Sequence, residues 1–590
     1  MKYLRFCHIA VTFALIVAVP AIAAGDNGDS EDLDDGGVVE FDDLDQYRVV
    51  SDGGLVAADE PQASRIGAQI LDDGGNAADA IVAAMLTSGF TNPHSSGLGG
   101  GGFCLYRDGD DETVEVIDFR ETAPGAAHRD MYVVDGEVDH DLSRRGGLAV
   151  ATPAEPAGLW ALHGRFGQLE WERVVDAPRQ LAADGFTVGT SLADRLRARA
   201  EAIEDAPQLA ALFRDDDGEW LEAGDEMTRP RLADTLEILR DEGVHPFYTG
   251  DIARAIVAAT DDDGGILSTD DLASYGVERR EPIVGDIAGH QIYSMPPPSS
   301  GGIALIQAFN ILEELEIDPE HTAFDDPQTV HYVVEALKHA FADRARWLGD
   351  TDFVDVPIDR LTSSEYAADL AEQIESDTTL ESDAYGSIPP HWEGAGTAHM
   401  SAVDADDNAV ACTTTINTSF GSMVLVDDYG LILNNEMADF TVEPGEPNVY
   451  GLIGTEQNAV EANKRPLSSM SPTLMTTDGA PSMTLGASGG PMIITGVFLT
   501  ILHTRLFDAT PMEAMTAPRL HHQWIPDELR LEVDGLPVAD GLRERGHNVD
   551  VARIFSAVQL IMRDDERWIG VTDPRKGGIP AASEISTDDD

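Results

Sequence analysis

The sequence predicts a mixed α+β protein, and three observations carry that expectation. An Ala-rich apolar run follows Asn76, a long amphipathic stretch covers Gln328 to Leu348, and two strand-like runs flank a tight turn at Ala405-Asp406-Asp407. With 590 residues, 43% of them hydrophobic, the chain is long enough for several ordinary domains or for one large layered body with two halves.

Taken in order, the first residues read as an address. Lys2 and Arg5 precede the apolar run Ile9 to Val19, and Ala21-Ile22-Ala23 offers a small-residue cleavage site, so residues 1–23 are expected to be a signal peptide. No later stretch is apolar enough to span a membrane, which predicts a soluble exported protein, periplasmic or extracellular, with no membrane partner once the signal is removed. Residues 24–46 are acidic and Gly-rich, the composition of a disordered leader, and the globular part begins at Tyr47. Cys7 leaves with the signal. Cys104 and Cys412 remain in apolar or strand-like settings, too few for a disulfide framework.

Charge narrows the partners. The chain carries 107 acidic and 38 basic residues, a formal net charge of -69, and only Lys2, Lys338, Lys464 and Lys576 are lysines. Such a surface repels nucleic acid, and it suggests adaptation to high salt, where screening removes the self-repulsion.

Asn76 caps the apolar helix, which is expected to run to about Ser88. Thr91 to Phe103 follows, in which Gly97, Gly99 and Gly102 match G-x-G-x-x-G. A dinucleotide site needs strand, glycines and helix in that order, whereas here a helix precedes and a strand-like FCLYRDG follows. Close backbone packing or approach to a substrate is the better account. Residues 155–385 read as largely helical. Within them Val330, Val334, Leu337 and Phe341 line one face of the Gln328–Leu348 helix, and His331 and His339 are expected to be packing or surface histidines. There is no H-E-x-x-H and no Cys/His zinc spacing. Asp404 to Asn408 starts like a calcium loop but lacks its glycine and final glutamate. Neither metal nor cofactor is expected.

Residues 397–404 and 408–417 read as a hairpin. If it is symmetric about Asp406, Thr397 faces Thr415 and two hydroxyls meet at one strand end. A threonine hydroxyl is a poor nucleophile by itself. Were the chain cut after Gly396, the freed α-amine of Thr397 would sit beside its own hydroxyl as a general base. The loose polar text from Ser376 to Gly396 suits a cleavable linker. Downstream, Leu433 to Phe440, Asn463 to Pro472 and Gly486 to Gly490 supply carboxylates for an ammonium group, hydroxyls that with Arg120 suit a carboxylate, and adjacent glycine amides for an oxyanion.

At these residues the sequence resembles the γ-glutamyltransferase (γ-glutamyltranspeptidase) family of N-terminal-nucleophile hydrolases. The motifs are GGNAADAIVA, PHSSGLGGGGF, DFRETAP, GTAHMSAVDADDNAV, NNEMADF, NKRPLSSMSPT and DPR, spread from about Val49 to Pro574. The resemblance implies a four-layer αββα sandwich and self-cleavage between Gly396 and Thr397, giving a large subunit, 47–396, and a small one, 397–590. It casts Thr397 as nucleophile, Thr415 as its hydrogen-bonding second threonine, and the Gly489 and Gly490 amides as oxyanion donors. Arg120, with Ser468 and Ser469, takes the donor α-carboxylate; Glu436 and Asp439, with Asn417, take the α-ammonium. Residues 443–451 resemble the family's lid loop, with Tyr450 as the covering aromatic. Ala398 stands where many members have a second Thr, and Glu436 where some have Gln; neither change removes a catalytic group. The implied activity is γ-glutamyl transfer and hydrolysis on glutathione and other γ-glutamyl compounds through a γ-glutamyl-threonine ester, with water, amino acids or peptides as acceptors. The alternative is a related glutaryl or cephalosporin-type acylase.

Overall fold

Two antiparallel sheets of seven strands each hold the chain together. The computed structural model describes residues 41–584 apart from 42, 316, 318–325, 386–395, 444–451, 453, 533–536, 553 and 555. The expected signal peptide, most of the leader, the lid segment and Tyr450 therefore lie outside the described residues. The described residues form one compact unit.

In chain order the sheet strands are β1 (Arg48–Ser51), β2 (Leu55–Ala58), β3 (Gly101–Arg107), β4 (Val114–Phe119), β5 (Glu278–Arg280), β6 (Ile283–Ile287), β7 (His290–Ser294), β8 (Ala398–Val403), β9 (Ala409–Thr415), β10 (Thr473–Thr477), β11 (Ala480–Ser488), β12 (Ala557–Asp564), β13 (Arg567–Thr572) and β14 (Ala581–Ala582). One sheet runs β1-β13-β12-β11-β10-β7-β6, the other β14-β2-β8-β9-β3-β4-β5. Helices α1 (Pro61–Asp72), α2 (Ala77–Thr91) and α3 (Glu155–Phe166) cover the outer face of the second sheet. Helices α4 (Gly301–Glu314), α5 (Pro327–Trp347) and α6 (Met492–Ile501) belong to the core on the side of the first. This is the expected αββα sandwich.

The period-two alternation of a strand explains the inner layers. Along β8, Ala398, Met400 and Ala402 pack with the helices, while His399 and Ser401 face the other sheet. His399 shows what that interface demands. Its ring is held by the Thr413 and Ser401 hydroxyls at 2.8 and 3.1 Å, and burial pushes its pKa down to about 3, so it packs as a neutral imidazole. A Cβ at Gly486 on the facing strand would lie 2.3 Å from that ring, so only glycine fits.

The hairpin register is the predicted one. Ala398 pairs with Thr414 and Val403 with Ala409, symmetric about Asp406. Asp404 fastens the turn, accepting from the amides of Asp406 and Asn408, and from the Ala77 amide at 2.8 Å, which ties it to the start of α2. Asn76 caps that helix in a capping box with Asp79; the helix continues to Thr91, one turn past the expected end, because both flanks are buried. The Gly-rich run serves close packing: a Cβ on Gly100 would meet the Thr415 carbonyl oxygen at 2.0 Å. The predicted face of α5 is in the core, and His331 is hydrogen-bonded between His547 and the Glu375 carbonyl, each at 2.7 Å.

One expectation is corrected. Cys104 and Cys412, read as outside any disulfide framework, are bonded to each other. They are register partners on β3 and β9, both turned to the helix face, so pairing of two strands 308 residues apart in sequence brings the sulfurs together.

Candidate active site

Strand β9 ends at Thr415 and β8 begins just after Thr397, so the register sets the two hydroxyls side by side. Their Oγ1 atoms are 3.3 Å apart. The Thr397 hydroxyl also donates to the carbonyl oxygen of Gly396, and the Thr415 hydroxyl reaches the same oxygen at 3.4 Å. Asn417, in the left-handed region at φ 75°, turns the chain back: its amide donates to Thr415 Oγ1 at 2.8 Å, and its carbonyl accepts from the Gly396 amide at 3.1 Å. A Cβ on Gly396 would press against the Asn417 and His94 carbonyl oxygens at 2.9 and 3.1 Å, which favours glycine at this position.

The segment from Asn434 to Phe440 is fastened by its asparagines. Asn434 donates to the carbonyls of Gly99 and Ala151 and accepts from the amides of Ala151 and Glu436; Asn435 holds the Arg144 carbonyl and Thr418. That clamp presents Glu436 and Asp439 to Arg120. The guanidinium binds Glu436 Oε1 through Nη1, Asp439 Oδ2 through Nη2 at 2.5 Å, and the Pro466 carbonyl through Nε at 3.2 Å. Burial pushes both carboxyl groups up against the opposing pull of Arg120. Glu121, also buried and 3.8 Å from Arg120, is pushed up by burial and by the neighbouring Glu436.

Thr397, Thr415, Asn417, Arg120, Glu436, Asp439, Ser468, Ser469 and Gly490 line one cavity, with Arg344, Leu452, Leu467, Met470 and Ile493 completing it. Gly489 precedes Gly490 at the end of β11, both at positive φ (130° and 59°), immediately before α6. Every described residue expected at the site lines this cavity except Gly489, which adjoins Gly490 in sequence. Arg344 was missed. It lies on α5 three residues beyond Phe341, in line with the apolar stripe; burial lowers its pKa to about 10 against the pull of Asp439, and its Nε donates to Ser300 Oγ at 3.0 Å. A cation continuing an apolar stripe was the available signal. One group among the described residues has metal-ligand geometry, His331, Glu335 and His547, but its two rings share a hydrogen bond and Glu335 faces the Lys338 ammonium at 3.4 Å.

Face-packed antiparallel sheets between helical layers, with a threonine leading an inner strand, are the architecture of the N-terminal-nucleophile hydrolases. Over 91% of this chain and 97% of the other, the fold matches a cephalosporin acylase from Bacillus halodurans at TM-score 0.81 and 26% identity. A γ-glutamyltranspeptidase from Helicobacter pylori matches at 0.53 and 34% identity, over 54% of this chain and 91% of that one. The chain belongs to the γ-glutamyltranspeptidase family, whose model matches residues 63–583. The glutathione hydrolase proenzyme of Escherichia coli is 42% identical over 528 residues, 88% of this chain and 90% of the relative. That of Pseudomonas aeruginosa is 38% identical over 545 residues, 90% and 95%.

Proposed function

We infer that the chain is the precursor of an exported γ-glutamyl transferase and hydrolase acting on glutathione-like γ-glutamyl compounds. The observation that carries this reading is the Thr397–Thr415 hydroxyl pair opening into the same cavity as Arg120, Glu436 and Asp439.

Maturation is the first reaction. The Thr397 hydroxyl adds to the Gly396 carbonyl, whose oxygen Thr415 polarises; the C–N bond to Thr397 breaks, and water hydrolyses the resulting ester. This leaves the large subunit ending at Gly396 and the small one beginning with Thr397. The new α-amine then serves as base. It takes the proton of its own hydroxyl as the oxygen attacks the γ-carbonyl of the donor, the Gly489 and Gly490 amides hold the oxyanion, and the departing amine takes the proton back. Water, an amino acid or a peptide then attacks the ester and restores Thr397.

Donor recognition follows from charge. Arg120 is shared between Glu436 and Asp439, a cluster with more acid than base. A zwitterionic glutamyl head group exchanges these contacts: its carboxylate takes the planar fork of Arg120 and the hydroxyls of Ser468 and Ser469, and its ammonium takes Glu436, Asp439 and Asn417.

The acylase reading rests on the fold match to a cephalosporin acylase at 26% identity and fits only loosely. A glutaryl group lacks the ammonium and would leave Glu436 and Asp439 without a cationic ligand. Release of p-nitroaniline from γ-glutamyl-p-nitroanilide, with and without glycylglycine, tests the assignment. Stimulation by glycylglycine is expected, and turnover of glutaryl-p-nitroanilide alone would overturn it. The surface charge further supports a protein built for high salt.

A further inference from the structure

The ammonium of Lys576 has three N–H donors, and all three are spent around the nucleophile. They go to Asp59 Oδ2 at 2.6 Å, to the carbonyl oxygen of Thr397 at 2.5 Å and to Ser488 Oγ at 3.1 Å. These acceptors belong to three separate pieces of chain. Asp59 directly follows β2; Thr397 opens the hairpin; Ser488 is the last residue of β11, directly before Gly489 and Gly490. Asp59 grips the hairpin as well, its carboxylate accepting from the His399 amide at 3.2 Å and its own amide donating to the His399 carbonyl at 3.3 Å. Gln559 on β12 donates to its other oxygen.

The backbone delivers this lysine by close approach. A Cβ on Gly578 would lie 2.1 Å from the Ala58 carbonyl oxygen, so the chain after Lys576 runs tight against the end of β2. Burial lowers the lysine's pKa against the pull of Asp59, and the side chain is only 14% exposed. A lysine taken this far out of water in a chain with four lysines is costly to keep without a geometric task.

We propose that Lys576, held by Asp59, is a positioning residue that sets the nucleophile against the oxyanion turn. One Nζ is bonded both to the residue carrying the attacking hydroxyl and to the residue preceding the Gly489–Gly490 amides, which fixes the spacing in which the tetrahedral intermediate must fit. The need is greatest after maturation. Thr397 is then a chain terminus, which frays unless tied down, and Lys576 holds its carbonyl. The lysine has no contact with Arg120, Glu436 or Asp439 among its hydrogen bonds, so donor binding does not depend on it. The inference rests on Thr397 being the nucleophile.

The test is Lys576→Met, which keeps an unbranched stem and removes the donors, with Asp59→Asn beside it. Rates on γ-glutamyl-p-nitroanilide are normalised to the amount of small subunit beginning at Thr397. A displacement of about 1 Å at a reacting group costs on the order of 100-fold, so kcat should fall about 100-fold with KM within about twofold and little change in melting temperature. An uncleaved Lys576→Met precursor that melts with Thr397→Ala also supports the proposal, since self-cleavage uses the same alignment. If Lys576→Met does not fold, Asp59→Asn is read by the same criteria. Wild-type kcat per cleaved chain, or KM rising in step with the loss of kcat, overturns it. A wild-type enzyme without γ-glutamyl activity would instead overturn the functional reading, and the cleavage phenotype would still report on Lys576.

Discussion

Replacing Arg120 by lysine keeps the charge and removes the fork. Arg120 is fully buried, and its guanidinium is divided among Glu436, Asp439 and the Pro466 carbonyl. A lysine ammonium can lie near one carboxylate but cannot present two parallel N–H groups to a donor carboxylate. Losing one charge-assisted hydrogen bond costs about 1.5–3 kcal/mol. At about 1.4 kcal/mol per tenfold, kcat/KM should fall about 10- to 100-fold, mostly as a rise in KM for γ-glutamyl-p-nitroanilide. Self-cleavage should proceed, because none of these contacts involves Gly396 or Thr397. The measurement is initial rate against donor concentration on protein shown to be fully cleaved. An unchanged KM would refute the assignment of Arg120 to the donor carboxylate.

Thr397→Ala should remain a single chain, while the wild type under reducing, denaturing conditions gives two, the smaller starting at Thr397; an intact yet fully active wild type would sink the mechanism. Melting temperature and activity should climb from 0.01 M to about 3 M NaCl as the Debye length falls from about 30 Å to about 3 Å or below, and a flat or falling melting curve would remove the salt-adaptation reading. Glu155, fully buried beside Thr414, has its pKa raised by burial to about 7. The folded state thus binds this proton more tightly than the unfolded one, so the stability that Glu155 contributes falls as pH rises from about 4.5 to 7. Glu155→Gln should flatten that slope in thermal melts, and an unchanged slope would show that Glu155 does not titrate there.

What was legible in the sequence was local or motif-borne. The hairpin register followed from a symmetric turn and strand periodicity, and Asn76 marked a helix start. The site residues came from motifs whose residue types match a zwitterion. Less visible were features made by distant pieces of chain. Arg344 sits in line with an apolar stripe, but inward and outward arginines look alike until the helix docks. Lys576 carried no signal beyond rarity, because its partners at 59, 397 and 488 meet only when both sheets form. The cysteine pair depended on which strand lies beside β9, a choice hairpin arithmetic does not make.

That cysteine pair changes what processing does to the molecule. Cys104 lies before the proposed cleavage point and Cys412 after it, so a cut between Gly396 and Thr397 would open a loop without releasing a piece. The two polypeptides would then stay tethered, and unfolding and refolding would remain unimolecular in what is formally a heterodimer. The melting temperature of the processed enzyme should not depend on protein concentration, whereas Cys412→Ser, which must reassemble from separate chains, should melt lower on dilution. On a non-reducing gel the mature protein should run as one species and part into two only with reductant. Two bands without reductant would mean that the tether does not form, and an environment that reduces thiols would have the same effect on an otherwise intact fold.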